Sequence, residues 1–398
     1  MCPQVIHDWR DLRGDKSPGV YQYQDYGAPR RNVFSTGIPA FLGTMKTAIP
    51  TIHHEARPVA HMLSLWSQFE LQIGPHHRDC RLAYAVRGFF ENGGHWCYVV
   101  VLKDHSDAQL AAGLETIGDL NTIDLVCVPD LPSNRERAIG QQQTVLDHCE
   151  DMGDRFAILD SQPGEEIAQV AERWSSLTGY NGALYYPWVK VHAFQFSGEQ
   201  ELVPPCGHIA GVINRVDRER GQHKAPANEV LSGVVDLEQQ ITDREQGVLN
   251  PHGVNCIRAF PHRGIRIWGA RTLSGQQHWS YVNVRRVFLT AARWLDWKMV
   301  EMEFEPNNHH LWSQIERILT EHFAAQYRKG ALQGASMNEG FYVKCDAETN
   351  PREQRESGIV VAEIGLATAV PFEFIVVRLI RGARGASVSN NVTIQTRG

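Results

Sequence analysis

Short apolar runs and longer amphipathic stretches follow one another through the first half of the chain. The continuous apolar run at residues 97–102 predicts a buried central strand. The pattern then predicts helices and strands in turn: helix 108–117, strand 124–128, helix 133–152, strand 156–160, helix 164–177 and strand 183–191, the last broken at Pro187. This alternation is typical of a mostly parallel sheet that is covered by helices.

Apolar positions predict further elements on both sides of this region. A helix is expected over residues 58–73, where Met62, Leu65, Trp66 and Phe69 recur at three- and four-residue spacings. Toward the C-terminus the pattern predicts helix 207–220, helix 237–247 with Asp236 as N-cap, hairpin 254–260 and 265–268, helix 280–298, strand 299–304, helix 306–329 and strands 340–345, 358–366 and 371–379. We therefore predict an α/β (α+β) fold, with a mixed sheet core under covering helices and a C-terminal α+β lobe.

The two ends of the chain differ from its body. Residues 19–23 alternate like a strand within a polar, Gly- and Pro-containing segment, for which a frayed tail is the alternative interpretation. Residues 386–395 contain β-forming residues but too few large apolar side chains to fold alone. An isolated strand exposes unpaired N–H and C=O groups and seeks a sheet edge, so we predict extended β arms that pair with neighbouring copies.

These patterns divide the chain into four parts. We predict an N-terminal extended arm at 1–35, an α/β core layer at 36–202, a C-terminal core lobe at 203–381 and a C-terminal extended arm at 382–398. Deleting residues 384–398 is expected to leave a soluble monomer with an intact core. The residues expected to form the subunit interfaces of the arms are Val20, Tyr21, Gln22, Tyr23, Val388, Val392, Thr393, Ile394 and Gln395.

Composition limits the cellular compartment and the classes of partner that we expect for the protein. The net charge of -6 and the pI near 6.3 give no basic footprint, which disfavours nucleic-acid binding. The eight cysteines include no Cys-x-x-Cys pair and are expected to be free thiols in a reducing compartment. The polar N-terminus does not resemble a signal peptide, and no apolar run reaches the roughly 18 residues of a membrane span. We expect synthesis and assembly in the cytoplasm, without membrane insertion.

Candidate catalytic and metal-binding groups each have a structural explanation. Adjacent histidine pairs point to different faces and rarely ligate one ion together. Cys206 and His208 diverge at a helix start, and Gly207 and Gly211 lack the rest of a phosphate-binding pattern. We therefore assign no catalytic, cofactor or metal residue. An α/β hydrolytic enzyme of unknown substrate remains the main alternative.

Residues 203–274 resemble the tail sheath family of contractile phages and related contractile injection machines. The likeness extends to about residue 381 and, more weakly, to residues 18–21. It rests on Gly, Pro, Asn and charged positions that fall together in one order, namely Pro204, Pro205, Gly207, Gly211, Asp217, Gly221, His223, Lys224, Ala225, Pro226, Ala227, Asn228, Gly247, Asn250, Asn255, Arg258, Gly264, Trp268, Gly269, Ala270, Arg271 and Thr272.

The resemblance implies a structural subunit that polymerises as stacked hexameric rings around an inner tube and contracts to drive the tube through a target envelope. The implied partners are further copies, an inner tube protein, and baseplate and terminal cap proteins. Arms at about residues 18–26 and 388–396 would connect the copies, and Arg328 and Lys329 would face the tube. No obvious outer domain is inserted, which suggests a minimal sheath of a phage tail or a tail-like particle that is released by lysis. A non-contracting sheath paralogue is the second alternative.

Overall fold

The described part of the chain comprises residues 34–46, 57–194, 198–302, 305–368, 373–382, 385–389 and 393–396 of a computed structural model. Ser35–Gly398 is one compact unit. The strands are β1 (Pro39–Thr44), β2 (Ala60–Leu63), β3 (Cys97–Leu102), β4 (Leu125–Cys127), β5 (Phe156–Asp160), β6 (Gly182–Tyr186), β7 (Val189–His192), β8 (Gln200–Val203), β9 (Val234–Leu237), β10 (Val254–Phe260), β11 (Gly264–Trp268), β12 (Phe341–Lys344), β13 (Val360–Leu366), β14 (Glu373–Gly382), β15 (Gly385–Val388) and β16 (Thr393–Thr396).

Helices alternate with these strands through most of the chain. They are α1 (Gln68–Gln72), α2 (Arg81–Glu91), α3 (Asp107–Gly118), α4 (Arg135–Met152), α5 (Ile167–Ser176), α6 (Cys206–Arg220), α7 (Asp243–Leu249), α8 (Val282–Met299), α9 (His309–Arg328), α10 (Met337–Gly340) and α11 (Arg352–Glu356). Short 3-10 turns lie at Asn250–His252, Gln277–Trp279 and Val300–Met302.

The largest sheet has eight strands in the order β11-β10-β6-β5-β4-β1-β3-β2. Its six inner strands are parallel, and the two edge strands β2 and β11 are antiparallel to their neighbours. One face packs against α2, α6 and α8, and the other against α3, α4 and α5. Burial on both faces explains the continuous apolar strands, such as β3, in which all six residues are buried.

The α/β fold class is confirmed, but the boundary predicted at 202/203 needs correction. The hairpin of β10 and β11, from the predicted second half, joins the same sheet through the parallel pairing of β10 with β6. A boundary at residue 203 would therefore cut through the ladder of one sheet. Beyond this sheet, β7 pairs with β8 and β9. In the C-terminal lobe, α9 packs on the sheet formed by β12 to β16.

Two predicted elements are wrong, and the bounds of a third are shifted. Residues 58–73 do not form one helix, because β2 pairs with β3 and the Gln68 side chain accepts the backbone N–H of Ser64, at 2.7 Å, which turns the chain before α1. Residues 299–304 do not start as a strand, because α8 continues through Met299 into a 3-10 turn. The helix predicted at 237–247 begins later, where Thr242 and Glu245 form a capping box for α7.

Candidate functional site

The last two strands of the chain, β15 and β16, both pair with β14. One edge of β14 pairs with β13 from Val360 opposite Arg381 to Leu366 opposite Ile375. The other edge is shared, because β15 pairs with residues 379–382 and β16 pairs with residues 373–376. The last two strands therefore form one interrupted edge of the sheet.

Contacts outside the sheet ladder also hold β15 in place. Ala386 and Val388 are buried, and the backbone N–H of Val388 donates to the carbonyl of Gly153 at 3.4 Å. Gly153 ends α4 in the left-handed conformation, with φ of 64°, and a Cβ at that position would lie 2.6 Å from the Cβ of Ser387. The close approach therefore requires glycine there. On the other side, β15 packs against α8.

The predicted C-terminal arm is thus partly corrected. Val388 does not belong to a free arm, because it is buried in β15. Thr393, Ile394 and Gln395 lie in β16 and pair with β14 of the same chain, whereas Val392 lies outside the described residues. Pairing with a neighbouring copy stays a prediction.

The start of the compact unit is held by buried polar contacts. The carboxylate of Asp124 accepts the backbone N–H groups of Gly37 and Ile38, at 2.9 and 2.6 Å. Arg293 donates to the carbonyl of Ser35 at 3.4 Å. Residues 35–38 are therefore fixed just before β1 begins. The predicted N-terminal interface residues, Val20, Tyr21, Gln22 and Tyr23, lie outside the described residues.

A buried cluster of charged side chains supports this contact. We call Asp124, Arg286 and Arg293 together the anchor of residues 35–38. Arg286 in α8 contacts Asp217 in α6 at 2.9 Å and Asp124 at 3.3 Å, and all three side chains are at most 4% exposed. Burial alone would lower the pKa of Arg286, but the two carboxylates raise it above its ordinary value. The cluster joins two helices to the entry of the first strand. The sequence pattern did not reveal it, because the three residues are far apart in the chain.

The predicted tube-facing residues lie at the end of α9. Arg328 is the last residue of this helix, Lys329 is its C-cap, and both side chains are exposed. Cations at a helix C-terminus complement its dipole, which is a local reason for their presence. Burial, together with Lys329, lowers the pKa of His322 to about 4. Contact of this end with a tube stays a prediction.

Two cavities lie at the carboxyl ends of the parallel strands, where α/β enzymes bind their substrates. The larger one, about 370 Å³, contains charged groups that pair with one another. In it, Asp130 accepts the backbone N–H of Thr44 at 3.2 Å and lies 3.9 Å from Arg81, and Arg78 lies 3.2 Å from Glu201. No group of three or more His, Cys, Asp or Glu side chains in the described part of the chain could hold a metal ion.

The smaller cavity, about 290 Å³, is bordered by Asp160 at the end of β5. Burial raises the pKa of this carboxyl group to about 7, and the thiol and backbone N–H of Cys206 oppose part of the rise. His208 contacts a different element, because its ring packs against Gly88 in α2. Burial lowers the pKa of His208 to about 4 and raises that of Cys206. These two side chains therefore serve separate packing contacts.

Comparison with known proteins identifies relatives. Residues 106–273 match the phage tail sheath protein central domain. The tail sheath protein of Burkholderia phage BcepMu is 26% identical over an alignment of 237 residues, and the match covers 55% of this chain and 48% of that protein. The chain thus spans about half the length of this curated relative.

Solved structures are similar along most of the chain. A chain in the six-fold symmetrised baseplate of the anti-feeding prophage is 30% identical, with a TM-score of 0.72, covering 90% of this chain and 96% of that one. The helical sheath of the same particle in the contracted state is 29% identical, with a TM-score of 0.70, covering 91% and 98%. A contracted sheath complex of an extracellular contractile injection system, PVC, is 26% identical, with a TM-score of 0.70, covering 90% and 95%. None of the helices in the described ranges is long and apolar enough to span a membrane.

Proposed function

Because this chain belongs to the phage tail sheath family, we propose that it is the structural subunit of a contractile sheath. Copies polymerise as stacked hexameric rings around an inner tube, and contraction of the stack drives the tube through a target envelope. The observation that carries this proposal is the similarity, over nine-tenths of the chain, to a helical sheath in its contracted state. The six-fold symmetry of the similar baseplate particle supports six copies per ring.

The ends of the chain supply the connections between copies. Residues 18–26 and the strand β16 pair with sheet edges of neighbouring subunits, so that each copy is joined to several others. Apart from β16, the compact unit Ser35–Gly398 moves as a rigid core, and the buried anchor at residues 35–38 transmits force to it. Arg328 and Lys329 face the tube. Baseplate and terminal cap proteins are the remaining partners.

Contraction requires no nucleotide in this mechanism. An extended sheath that is held by its tube and baseplate contacts stores free energy, which is released when the cores bury more surface against one another. At roughly 25 cal/mol per Å² of apolar area, an additional few hundred Å² is worth several kcal/mol per subunit. Summed over a long stack, this free energy drives the stroke. The particle is assembled in the cytoplasm and leaves the cell by lysis.

Negative-stain electron microscopy of the purified chain, with and without its tube protein, tests the proposal. A sheath subunit forms tubes or large polymers of uniform diameter. An enzyme of the same fold would appear on the micrographs as small oligomers without tubes. This result would overturn the proposal.

A second measurement separates contraction from a static structural role. Particle lengths are compared before and after treatment with acid or urea. A contractile sheath shortens and widens, whereas a non-contracting paralogue keeps its length.

A further inference from the structure

Charge is unevenly distributed along this acidic chain. Residues 246–295, which contain the hairpin of β10 and β11 and most of α8, have seven arginines and no acidic residue, a net charge of +7. Residues 104–172, which contain α3, α4 and the start of α5, have fifteen acidic and three basic residues, a net charge of -12. Segregation of this kind can produce surfaces of opposite sign that attract one another across an interface.

Three of these arginines lie at the β11 edge of the large sheet and contact neutral groups. Arg263 and Arg266 both donate to Asn228, at 3.2 Å to its Oδ1 and at 2.6 Å to its carbonyl. The guanidinium group of Arg271 lies 4.4 Å from the centre of the Tyr281 ring. No carboxylate in the described part of the chain pairs with these three groups, which are exposed or partly exposed. We call Arg263, Arg266 and Arg271 the arginine edge.

The arginine edge presents side chains rather than free backbone groups. Ile267 of β11 accepts the N–H of Asn228 at 2.7 Å and donates to the carbonyl of Glu229 at 3.0 Å, so the outer side of this strand is already bonded. The partly exposed rings of Phe260 and Trp268 lie beside it, with their centroids 4.5 Å apart. Arginine and aromatic side chains are enriched at protein interfaces. This edge therefore fits a protein surface that carries carboxylates better than it fits a further strand.

The C-terminal ends of α3 and α4 carry exposed carboxylates. Glu115 lies in the last turn of α3, and Asp147 and Asp151 lie near the end of α4. Neither helix has a basic residue in its last turn, and the helix dipole disfavours carboxylates at this end, so local helix stability does not explain them. The neighbouring Asp119 is paired with Arg57 at 3.1 Å. We call Glu115, Asp147 and Asp151 the acidic helix ends.

The two surfaces are too far apart to pair within one copy. The helix α3 packs on β1 and β3, and α4 packs on β5. In the sheet order β5 is three strands from β11, and β1 is five. Neighbouring strands are about 4.7–4.9 Å apart, so roughly 14–24 Å separate these helices from the arginine edge. This exceeds the Debye length of about 8 Å at physiological ionic strength, and each surface is therefore left for another molecule.

We propose that the arginine edge of one copy binds the acidic helix ends of a second copy. This inference rests on the proposed function as a sheath subunit, and it concerns a contact between the cores. Because the contact joins two different surfaces, it is head-to-tail, and its repetition builds a ring or a helix. Its charged groups are exposed, so the contact weakens as the salt concentration rises.

Charge reversal tests this contact. The variant Arg263→Glu/Arg271→Glu leaves Arg266 in place to hold Asn228. The variant Asp147→Arg/Asp151→Arg places cations near a helix C-terminus, where they are favourable. Sedimentation measures the critical concentration for tube formation at low and at physiological salt, and circular dichroism verifies that each variant is folded.

We expect either double variant to raise the critical concentration roughly tenfold at low salt, because attractive pairs become repulsive. The chain that carries all four substitutions should return to within about threefold of wild type, since the charges of the two surfaces are then exchanged. The critical concentration of the wild type should rise with salt, whereas that of either double variant should not. If Arg263→Glu/Arg271→Glu folds poorly, Arg263→Gln/Arg271→Gln removes the same charges without reversing them.

The matched control, Arg317→Glu/Arg352→Glu, reverses two exposed arginines that pair within their own helices, and it should leave tube formation unchanged. An equal loss in this control would assign the effect to net charge and overturn the contact. Normal tube formation by the folded Arg263→Glu/Arg271→Glu variant, or no recovery in the chain with four substitutions, would also overturn it. An effect that appears only with the tube protein present would assign the arginine edge to that protein instead. A wild-type chain that forms no tubes would overturn the proposed function itself.

Discussion

The side chain of Asn350 forms hydrogen bonds with the backbone at a sheet edge, where no strand of the described residues pairs with it. It is 1% exposed, and its amide acts as a short strand, because Oδ1 accepts the N–H of Val361 at 2.7 Å and Nδ2 donates to the carbonyl of Val361 at 2.9 Å. It thus pairs with β13 beyond the end of β12. Nothing in the apolar pattern of the sequence indicates this role.

The substitution Asn350→Ala is expected to destabilise the chain by about 2–4 kcal/mol, because it leaves a buried donor and a buried acceptor unpaired. Urea unfolding of the unpolymerised chain measures the change. Asn350→Asp keeps the acceptor for the N–H of Val361 but brings a carboxylate against the carbonyl of Val361, so its cost relative to wild type should fall as pH drops and the carboxyl group is protonated, whereas the cost of Asn350→Ala should not. A cost of Asn350→Asp that is independent of pH would contradict this account.

His208 makes stability depend on pH. Its ring is 1% exposed at the contact of α6 with α2, and burial, with a smaller contribution from Arg87, lowers its pKa from 6.5 to about 4. As pH falls below 6.5 the unfolded chain binds a proton that the folded chain does not. Its contribution to stability is therefore full above pH 6.5 and is lost as pH falls toward 4.

We expect this histidine to remove about 3 kcal/mol of stability between pH 6.5 and pH 4. The substitution His208→Gln should flatten the dependence of the unfolding free energy on pH by about that amount, whatever its cost at neutral pH. The same replacement at exposed His309 controls for the loss of an imidazole. A slope in His208→Gln that equals that of the wild type would show that another group carries the effect.

At the scale of elements, the pattern of apolar and polar residues was sufficient to predict a strand or helix that is buried on a regular face. The helix α4, the strand β5 and the hairpin of β10 and β11 appear within a few residues of their predicted bounds. The failures are of two kinds. Apolar residues in and after β2 recur at helical spacing, yet pairing with β3 decides the conformation of β2. The helix α2 was not predicted, although seven of its residues are buried.

The C-terminal end shows why the candidate site was only half predictable. Its residues were correctly identified as strand-forming, because β15 and β16 both lie there. What the pattern could not reveal was that Val388 and Ala386 are buried against α4 and α8, since that contact depends on Gly153 more than 200 residues earlier. Long-range packing of this kind leaves no periodicity in the segment itself.

Truncation at two points tests this division of the C-terminus. Removing residues 390–398 should leave the free energy of unfolding within about 1 kcal/mol of wild type, because β15 stays in place. Removing residues 384–398 should cost about 2–4 kcal/mol, since it uncovers the apolar surface that Ala386 and Val388 cover. This revises the expectation that the longer deletion leaves the core intact. Equal stability of the two truncated chains would mean that β15 contributes nothing to the core.

At the scale of the whole molecule, the compact unit Ser35–Gly398 and the segment before it have separable roles in the proposed sheath. The anchor formed by Asp124, Arg286 and Arg293 holds residues 35–38 inside this unit. Force applied to the N-terminal segment would therefore reach two helices and the central strands together. The same anchor implies that shortening the chain before residue 35 leaves the core contacts described here in place.

Deletion of residues 1–26 should consequently abolish polymerisation while the thermal midpoint of the unpolymerised chain changes by less than about 3 °C. Deletion of residues 1–38 should in addition destabilise the core by about 2–4 kcal/mol, because Asp124 loses the backbone N–H groups of Gly37 and Ile38. Electron microscopy measures polymerisation, and calorimetry below the concentration for assembly measures stability. Normal tubes from the shorter deletion would remove the N-terminal segment from the assembly mechanism. A stable core after the longer deletion would show that Asp124 and its two arginines hold together without it.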